Sequence, residues 1–196
     1  MSTGPADPAE VDAPADAYDR LRRRVLWAMP TGLYVVGSRA GDVRNLMTCN
    51  WVMQVATSPK LVAVGVESGS VTRTLMEAGG SFSVSMLARS ERGLVRRFVK
   101  PVRDVEVDAA GVASSLQGEP VVEVAGGLPV LSAAVAWLAC SVRSVLAWEV
   151  GGSAGAGSHV LVVGEVVDVG ATGRLALGGE EDAVLSMDDT RMNYGG

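Results

Sequence analysis

Three short segments place hydroxyl, amide and imidazole groups where a strand-rich chain has no structural need of them. The first is Asn45-Leu46-Met47-Thr48-Cys49-Asn50-Trp51-Val52-Met53-Gln54-Val55. Read along a strand, it sets Met47, Cys49, Trp51 and Met53 on one face and Thr48, Asn50 and Gln54 on the other. Amides and hydroxyls both donate and accept hydrogen bonds, so such a row suits the edge of a heteroaromatic ring and a polyol chain; it suits a strand with one solvent face equally well. The second segment, Glu67-Ser68-Gly69-Ser70-Val71-Thr72-Arg73, is a strand end leading into a helix start. Ser68 and Ser70 can cap that helix, whose free N–H groups and dipole form a phosphate cradle, and Arg73 could add a charge; capping without a ligand is the commoner meaning. The third, Gly157-Ser158-His159-Val160-Leu161-Val162-Val163-Gly164-Glu165-Val166, sets the single histidine ahead of an apolar strand. There it could lie at a barrel mouth and donate to a carbonyl or a hydride donor, although lone histidines are usually structural.

What the chain lacks excludes other chemistries. Its 196 residues hold one His, two Cys (Cys49 and Cys140) and two Lys (Lys60 and Lys100), too few and too scattered for a protein-ligated zinc. Neither lysine stands in a Gly-Lys-Ser/Thr context, which removes P-loop chemistry. The glycine run at 151–157 leads towards a strand, and the third position of a G-x-G-x-x-G beginning at Gly155 is Val160, so the dinucleotide fingerprint fails. Two distant cysteines without a signal-like segment imply reduced thiols and a cytoplasmic chain. The longest strictly apolar run, Ala133 to Cys140, is far short of a membrane span of roughly 20 residues. The net charge of −5 disfavours nucleic acid. Residues 1–17 carry Asp7, Glu10, Asp12 and Asp16 with three prolines and no base, which reads as a disordered tail; beyond it 17 basic residues face 18 acidic ones, and the domain 18–196 is almost neutral.

The elements that must position the three segments are mostly strands, as expected of a chain with 33 valines. Tyr18 to Met29 has helical spacing and ends at Pro30. Leu33 to Val36, a turn at Ala40-Gly41-Asp42, and Leu46 to Val55 form a hairpin. Leu61 to Val66 suits a strand buried on both faces. Val71 to Ala78 reads as a helix closed by Gly79-Gly80, Ser81 to Leu87 as a strand, and Glu91 to Val99 as a second short helix. Short edge strands and loops fill 102–130, and long strands cover Ala133 to Val145 and Val160 to Val169. This is a mainly β fold with short helices, and the even strand lengths argue for a closed or partly closed barrel.

Taken together and in order, the motifs resemble the flavin reductase-like FMN-binding split-barrel family. The resemblance is carried by Pro30-Thr31-Gly32-Leu33-Tyr34-Val35-Val36, by Asn45-x-Met47-Thr48-x-x-Trp51-Val52-x-Gln54-Val55, by Ser58-Pro59-x-Leu61-Val62-Ala63-Val64, by His159 with Gly164-Glu165-Val166-Val167-Asp168-Val169, and by the ending Asp189-Thr190-Arg191-x-Asn193-Tyr194-Gly195-Gly196. It implies a homodimer of split β-barrels with FMN, or alternatively FAD, near the subunit interface. It also implies hydride transfer from NADH or NADPH, with reduced flavin used in place or passed to a monooxygenase. By position it assigns Thr48, Cys49, Asn50 and Trp51 to the isoalloxazine and ribityl chain, with Gln54 and Val55 nearby, and Ser68, Ser70 and Thr72 to the phosphate; Asn45, Met47 and Arg73 complete the implied cofactor-binding set. His159, as the catalytic residue, falls beside the nicotinamide or the flavin edge. Arg73 stands where many relatives carry His, and Leu46 where many carry Gly. The family also holds flavin-binding barrels without a demonstrated hydride donor, and the related pyridoxamine-phosphate oxidases; few basic residues near the site weigh against the latter.

Overall fold

The computed structural model describes residues 13–149, 156–172, 175, 183–190 and 192. The chain divides into two compact units, residues 1–30 with 191–196, and residues 31–190. In the first unit, helix α1 spans Ala13–Trp27, with Asp16 in its first turn and Arg24 in its last, each opposing the helix dipole. It opens before Tyr18 and takes in residues 13–17, which the sequence reading placed in the tail; residues 1–12 lie outside the described residues.

Among the described residues, the second unit carries eleven strands. In the large antiparallel sheet are β1 (Tyr34–Ala40), β2 (Val43–Cys49), β3 (Val52–Thr57), β4 (Lys60–Glu67), β5 (Ser81–Met86), β10 (Ala136–Glu149) and β11 (Ala156–Ala171), in the order β2-β1-β5-β10-β11-β4-β3. A four-stranded sheet, β6 (Val105–Val107), β7 (Ala113–Leu116), β8 (Glu119–Val124) and β9 (Leu128–Leu131), is built from the stretch expected to hold short edge strands and loops. Helix α2 spans Val71–Gly79. One apolar core collects Val36, Cys49, Val64, Phe82, Cys140 and Val162 from six of the seven large-sheet strands, together with Met76 of α2. The alternation in β5 is as expected, Phe82 and Val84 entering this core. Its serine face, however, is buried too: Ser83 donates to the Pro129 carbonyl (2.6 Å), and Ser85 accepts from the Leu131 N–H (3.2 Å). Those bonds seat β9 against β5. Gly37 on β1 allows the same approach, since a Cβ there would lie 2.2 Å from the Pro129 oxygen.

Two expectations give way. The returning strand expected over Leu46 to Val55 is two strands, β2 and β3, broken at Asn50-Trp51, so the single face drawn through Met47, Cys49, Trp51 and Met53 does not persist. The reason is topological. Strands β2 and β3 are the two ends of the sheet order, yet only two residues join them, which holds the two edges within about 11 Å of each other at that corner. The helix expected over Glu91 to Val99 is a pair of 3-10 turns, Arg89–Glu91 and Leu94–Phe98, on either side of a segment containing Gly93.

Candidate functional site

The corner between β2 and β3 is where the three polar segments meet. Trp51 lies in the break, and its carbonyl accepts from the Gly65 N–H of β4 (2.8 Å). The indole lies over Gly65, where a Cβ would sit 3.1 Å from it. A lone glycine in the run Leu61-Val62-Ala63-Val64-Gly65-Val66 is the signal for such a close approach, and the sequence reading passed over it. The His159 ring stands edge-on to Trp51, with centroids 4.6 Å apart and planes at 68°. It reaches that position because β11 pairs with β4 in the register that sets His159 opposite Glu67. The Ser158 hydroxyl lies 3.0 Å from His159 Nδ1, which orients the ring; Ser158 is a second residue the sequence reading missed.

The turn from β4 into α2 is fastened to this corner. Ser68 donates its N–H to the Ser158 carbonyl (2.9 Å) and its hydroxyl to the Gly157 carbonyl. Ser70 is the N-cap of α2, its oxygen accepting from the Arg73 N–H (3.2 Å). The Arg73 guanidinium folds back over the turn, donating to the Ser68 carbonyl (2.8 Å) and to Glu77 (2.9 Å). At the other end of the helix, Gly80 closes it in the left-handed conformation (φ 65°) and donates to the Met76 carbonyl, as Gly usually does there. Asn50, Trp51, Ser68, Ser70, Arg73 and His159 therefore belong to one end of the large sheet. The amide of Asn50 makes no hydrogen bond among the described residues.

Other residues assigned to a cofactor by position turn into the protein instead. Asn45 donates to Thr72 Oγ1 (2.9 Å) and accepts from the Val102 N–H (2.9 Å), and both Asn45 and Thr72 are buried. Thr48 donates to the Val95 carbonyl. Met47 packs on the core. These residues frame the corner and tie β2 to α2. Gln54 and Val55 lie further along β3, Gln54 donating to the Ala56 carbonyl (3.1 Å) and Val55 falling at a break in register. Cys49 is a core residue: burial pushes its thiol up to about 12, and burial alone does the same for Cys140. Neither is a nucleophile near neutral pH. A disulfide-exchange thiol reagent at pH 8 is expected to leave both unmodified in the folded chain and to modify both after denaturation. A fast reaction of the native protein would show that the core is open.

Among the described residues, no group of three or more His, Cys, Asp or Glu is placed to hold a metal, and no helix is long and apolar enough to cross a membrane. The glycine run at 151–155 and the ending at 191 and 193–196 lie outside the described residues.

Comparison with known proteins gives a consistent pattern. A family model, the flavin reductase like domain, matches residues 26–187. The fold is similar to that of the NADH:FAD oxidoreductase of Streptomyces globisporus, at 27% identity over 87% of this chain and 88% of that one, with a TM-score of 0.61. It is also similar to the styrene monooxygenase flavin reductase of Pseudomonas putida, at 26% identity over 77% of this chain and 87% of that one, with a TM-score of 0.58. A curated relative, diflavin flavoprotein A 1 of Synechocystis, is 28% identical over 114 residues, which are 58% of this chain and 19% of that protein. The chain spans about a fifth of the length of such curated relatives.

Proposed function

Because the chain belongs to the flavin reductase like domain family, we propose that it binds FMN or FAD at the Trp51–His159 corner and reduces it with NADH or NADPH. The observation that carries this reading is the convergence of an aromatic ring, an oriented imidazole and a capped helix N-terminus at one sheet end. Hydride transfer between two planar rings calls for stacking and exclusion of water more than for an ionising side chain. The chemistry a bound flavin would supply is acceptance of that hydride.

The residues present fit such a group. Asn50 offers an uncommitted amide for a ring edge. Ser70 keeps its hydroxyl proton while its oxygen caps the helix, and Gly69 has open space around it, which suits a phosphate at the start of α2. Trp51 and His159 form a wall against which a nicotinamide would be held, Ser158 fixing the orientation of the imidazole. Met53, Val55, Val167 and Val169 are exposed apolar residues on β3 and β11. Their exposure supports a homodimer that covers them, with the sheet closing as a split barrel at the β2–β3 corner, over one flavin-binding domain from 18 to 196. The similarity to a styrene monooxygenase flavin reductase supports a monooxygenase as recipient of reduced flavin. Buried, unpaired Cys49 and Cys140 fit a reducing cytoplasmic compartment.

The test is an anaerobic titration of purified protein with FMN and then with each nicotinamide. The visible flavin band is expected to bleach with NADH, NADPH or both, with excess free FMN consumed catalytically. Flavin uptake without bleaching by either donor would leave a flavin-binding protein and remove the reductase activity.

A further inference from the structure

Six of the 17 basic residues stand between positions 89 and 103: Arg89, Arg92, Arg96, Arg97, Lys100 and Arg103, with Glu91 the one acid among them. The rest of the chain holds 11 basic and 21 acidic residues, so one short segment is strongly positive and the remainder strongly negative. The acids resume at Asp104, Glu106 and Asp108, along or beside β6, which pairs into the four-stranded sheet. All six basic residues are exposed. Arg89 is paired with Asp189 (2.6 Å) and Arg97 with Glu119 (2.7 Å). Arg92, Arg96, Lys100 and Arg103 form no ion pair among the described residues.

Local packing sets this segment beside the proposed flavin corner. Val95 and Phe98 are fully buried, and the Val95 carbonyl accepts from Thr48, two positions ahead of Asn50. Further on, the Val102 N–H donates to Asn45, whose amide in turn donates to Thr72 in the first turn of α2 (both 2.9 Å). Arg92 and Arg96 bracket the first contact in sequence, and Lys100 and Arg103 bracket the second. The four free charges thus border both the strand that leads into Trp51 and the helix start proposed to take a phosphate. Exposed bases on flexible stems, with no partner to fix them, act through their summed field rather than as a built pocket. A net charge of −5 repels a phosphorylated flavin at range, and this belt reverses the sign where the flavin must enter. An extended nucleic acid would run beyond the belt onto the acidic remainder, whereas one flavin phosphate is small enough to meet the belt alone.

We infer that Arg92, Arg96, Lys100 and Arg103 steer phosphorylated flavin to the Trp51–His159 corner, so that they set the rate at which FMN is captured and not the rate at which it leaves. Riboflavin, which is neutral, gains nothing from them. The inference rests on the reading of that corner as the flavin site.

Stopped-flow flavin fluorescence on the full-length chain gives association and dissociation rate constants for FMN and riboflavin without any turnover. The test variant combines Arg92→Gln, Arg96→Gln, Lys100→Gln and Arg103→Gln. At about 0.01 M ionic strength, where the screening length is roughly 30 Å, it should capture FMN about tenfold more slowly and release it within about twofold of wild type. At about 1 M, where screening acts within roughly 3 Å, the two proteins should converge. Riboflavin association should be the same in both at either salt. A control combining Arg20→Gln, Arg22→Gln, Arg23→Gln and Arg24→Gln alters net charge equally and should leave FMN association within about twofold. Equal slowing in the control would make net charge the cause, and a loss seen only in dissociation would make the four bases contacts. Either result overturns steering, as does salt-independent FMN association in wild type. If neither flavin binds, the reading of the corner falls and the inference with it; if both bind with the same salt dependence, the inference falls alone.

Discussion

Ser70→Asp is expected to cut affinity for FMN by at least about a hundredfold while leaving riboflavin binding and thermal stability unchanged. Asp caps a helix as well as Ser does, so α2 keeps the acceptor that Arg73 N–H now uses. The substitution removes a hydroxyl donor at the proposed phosphate position, a loss of about 2 kcal/mol for a bond to a charged group. It also adds a like charge, whose repulsion at about 4 Å and an intermediate dielectric is of the same order or larger. Together these exceed the roughly 2.7 kcal/mol that a hundredfold requires. Riboflavin has no phosphate and is the internal control. Titration of both flavins against wild type and variant, with a melting curve for each, decides the point. Equal losses for the two flavins would place the phosphate elsewhere, and an unchanged FMN affinity would remove α2 from the site.

The parts of this site that were legible in the sequence are those whose residue types are unusual for their element. Ser70 could be read as an N-cap because a serine ahead of a helical period has one common use, and the structure has that cap. His159 stood out because it is single and opens an apolar strand. The strand over 45–55 was misjudged for a different reason. Alternation tells which residues share a face; it does not tell which face is buried, nor that two residues suffice to carry the chain from one sheet edge to the other. Hence Asn45 and Thr72, polar and promising in sequence, are partners of each other inside the protein, whereas Gly65 and Ser158, unremarked, set the positions of Trp51 and His159. The four-stranded sheet was invisible as a sheet because β6, β7 and β9 have three or four residues each, too few for a period to show. What anchors it to the large sheet is equally non-local: Arg39 and Arg44 are separated from Glu123 by about eighty positions.

That anchor gives the other large effect. Glu123→Ala is expected to lower unfolding free energy by about 3–5 kcal/mol, the range for removing one partner of a buried pair. With a urea m-value of about 2 kcal/mol/M, the midpoint would fall by roughly 1.5–2.5 M. The side chains of Arg44 and Glu123 are 3% and 9% exposed, whereas that of Arg39 is 27% exposed. Glu123 accepts from Arg44 Nε, from Arg39 Nη1 (3.1 Å) and from the Ala113 N–H (3.0 Å). Arg44 also donates to the carbonyls of Asp42 (3.0 Å) and Gly111 (2.8 Å), so it cannot swing out to water without breaking both. Removing the carboxylate therefore strands a guanidinium in a dry place, and that desolvation is the larger part of the loss. Arg39→Met, at a more exposed position, should cost about 1 kcal/mol or less. The double variant Arg44→Met with Glu123→Leu discriminates the cause: if the stranded charge dominates, it recovers about half of the loss, the remainder being the amide of Ala113 left without its acceptor. If the double variant is no more stable than Glu123→Ala, the charge is not the cause. The loss would then lie in the hydrogen-bonded seam between the sheets, of which β2 carries the strand that leads into Asn50 and Trp51.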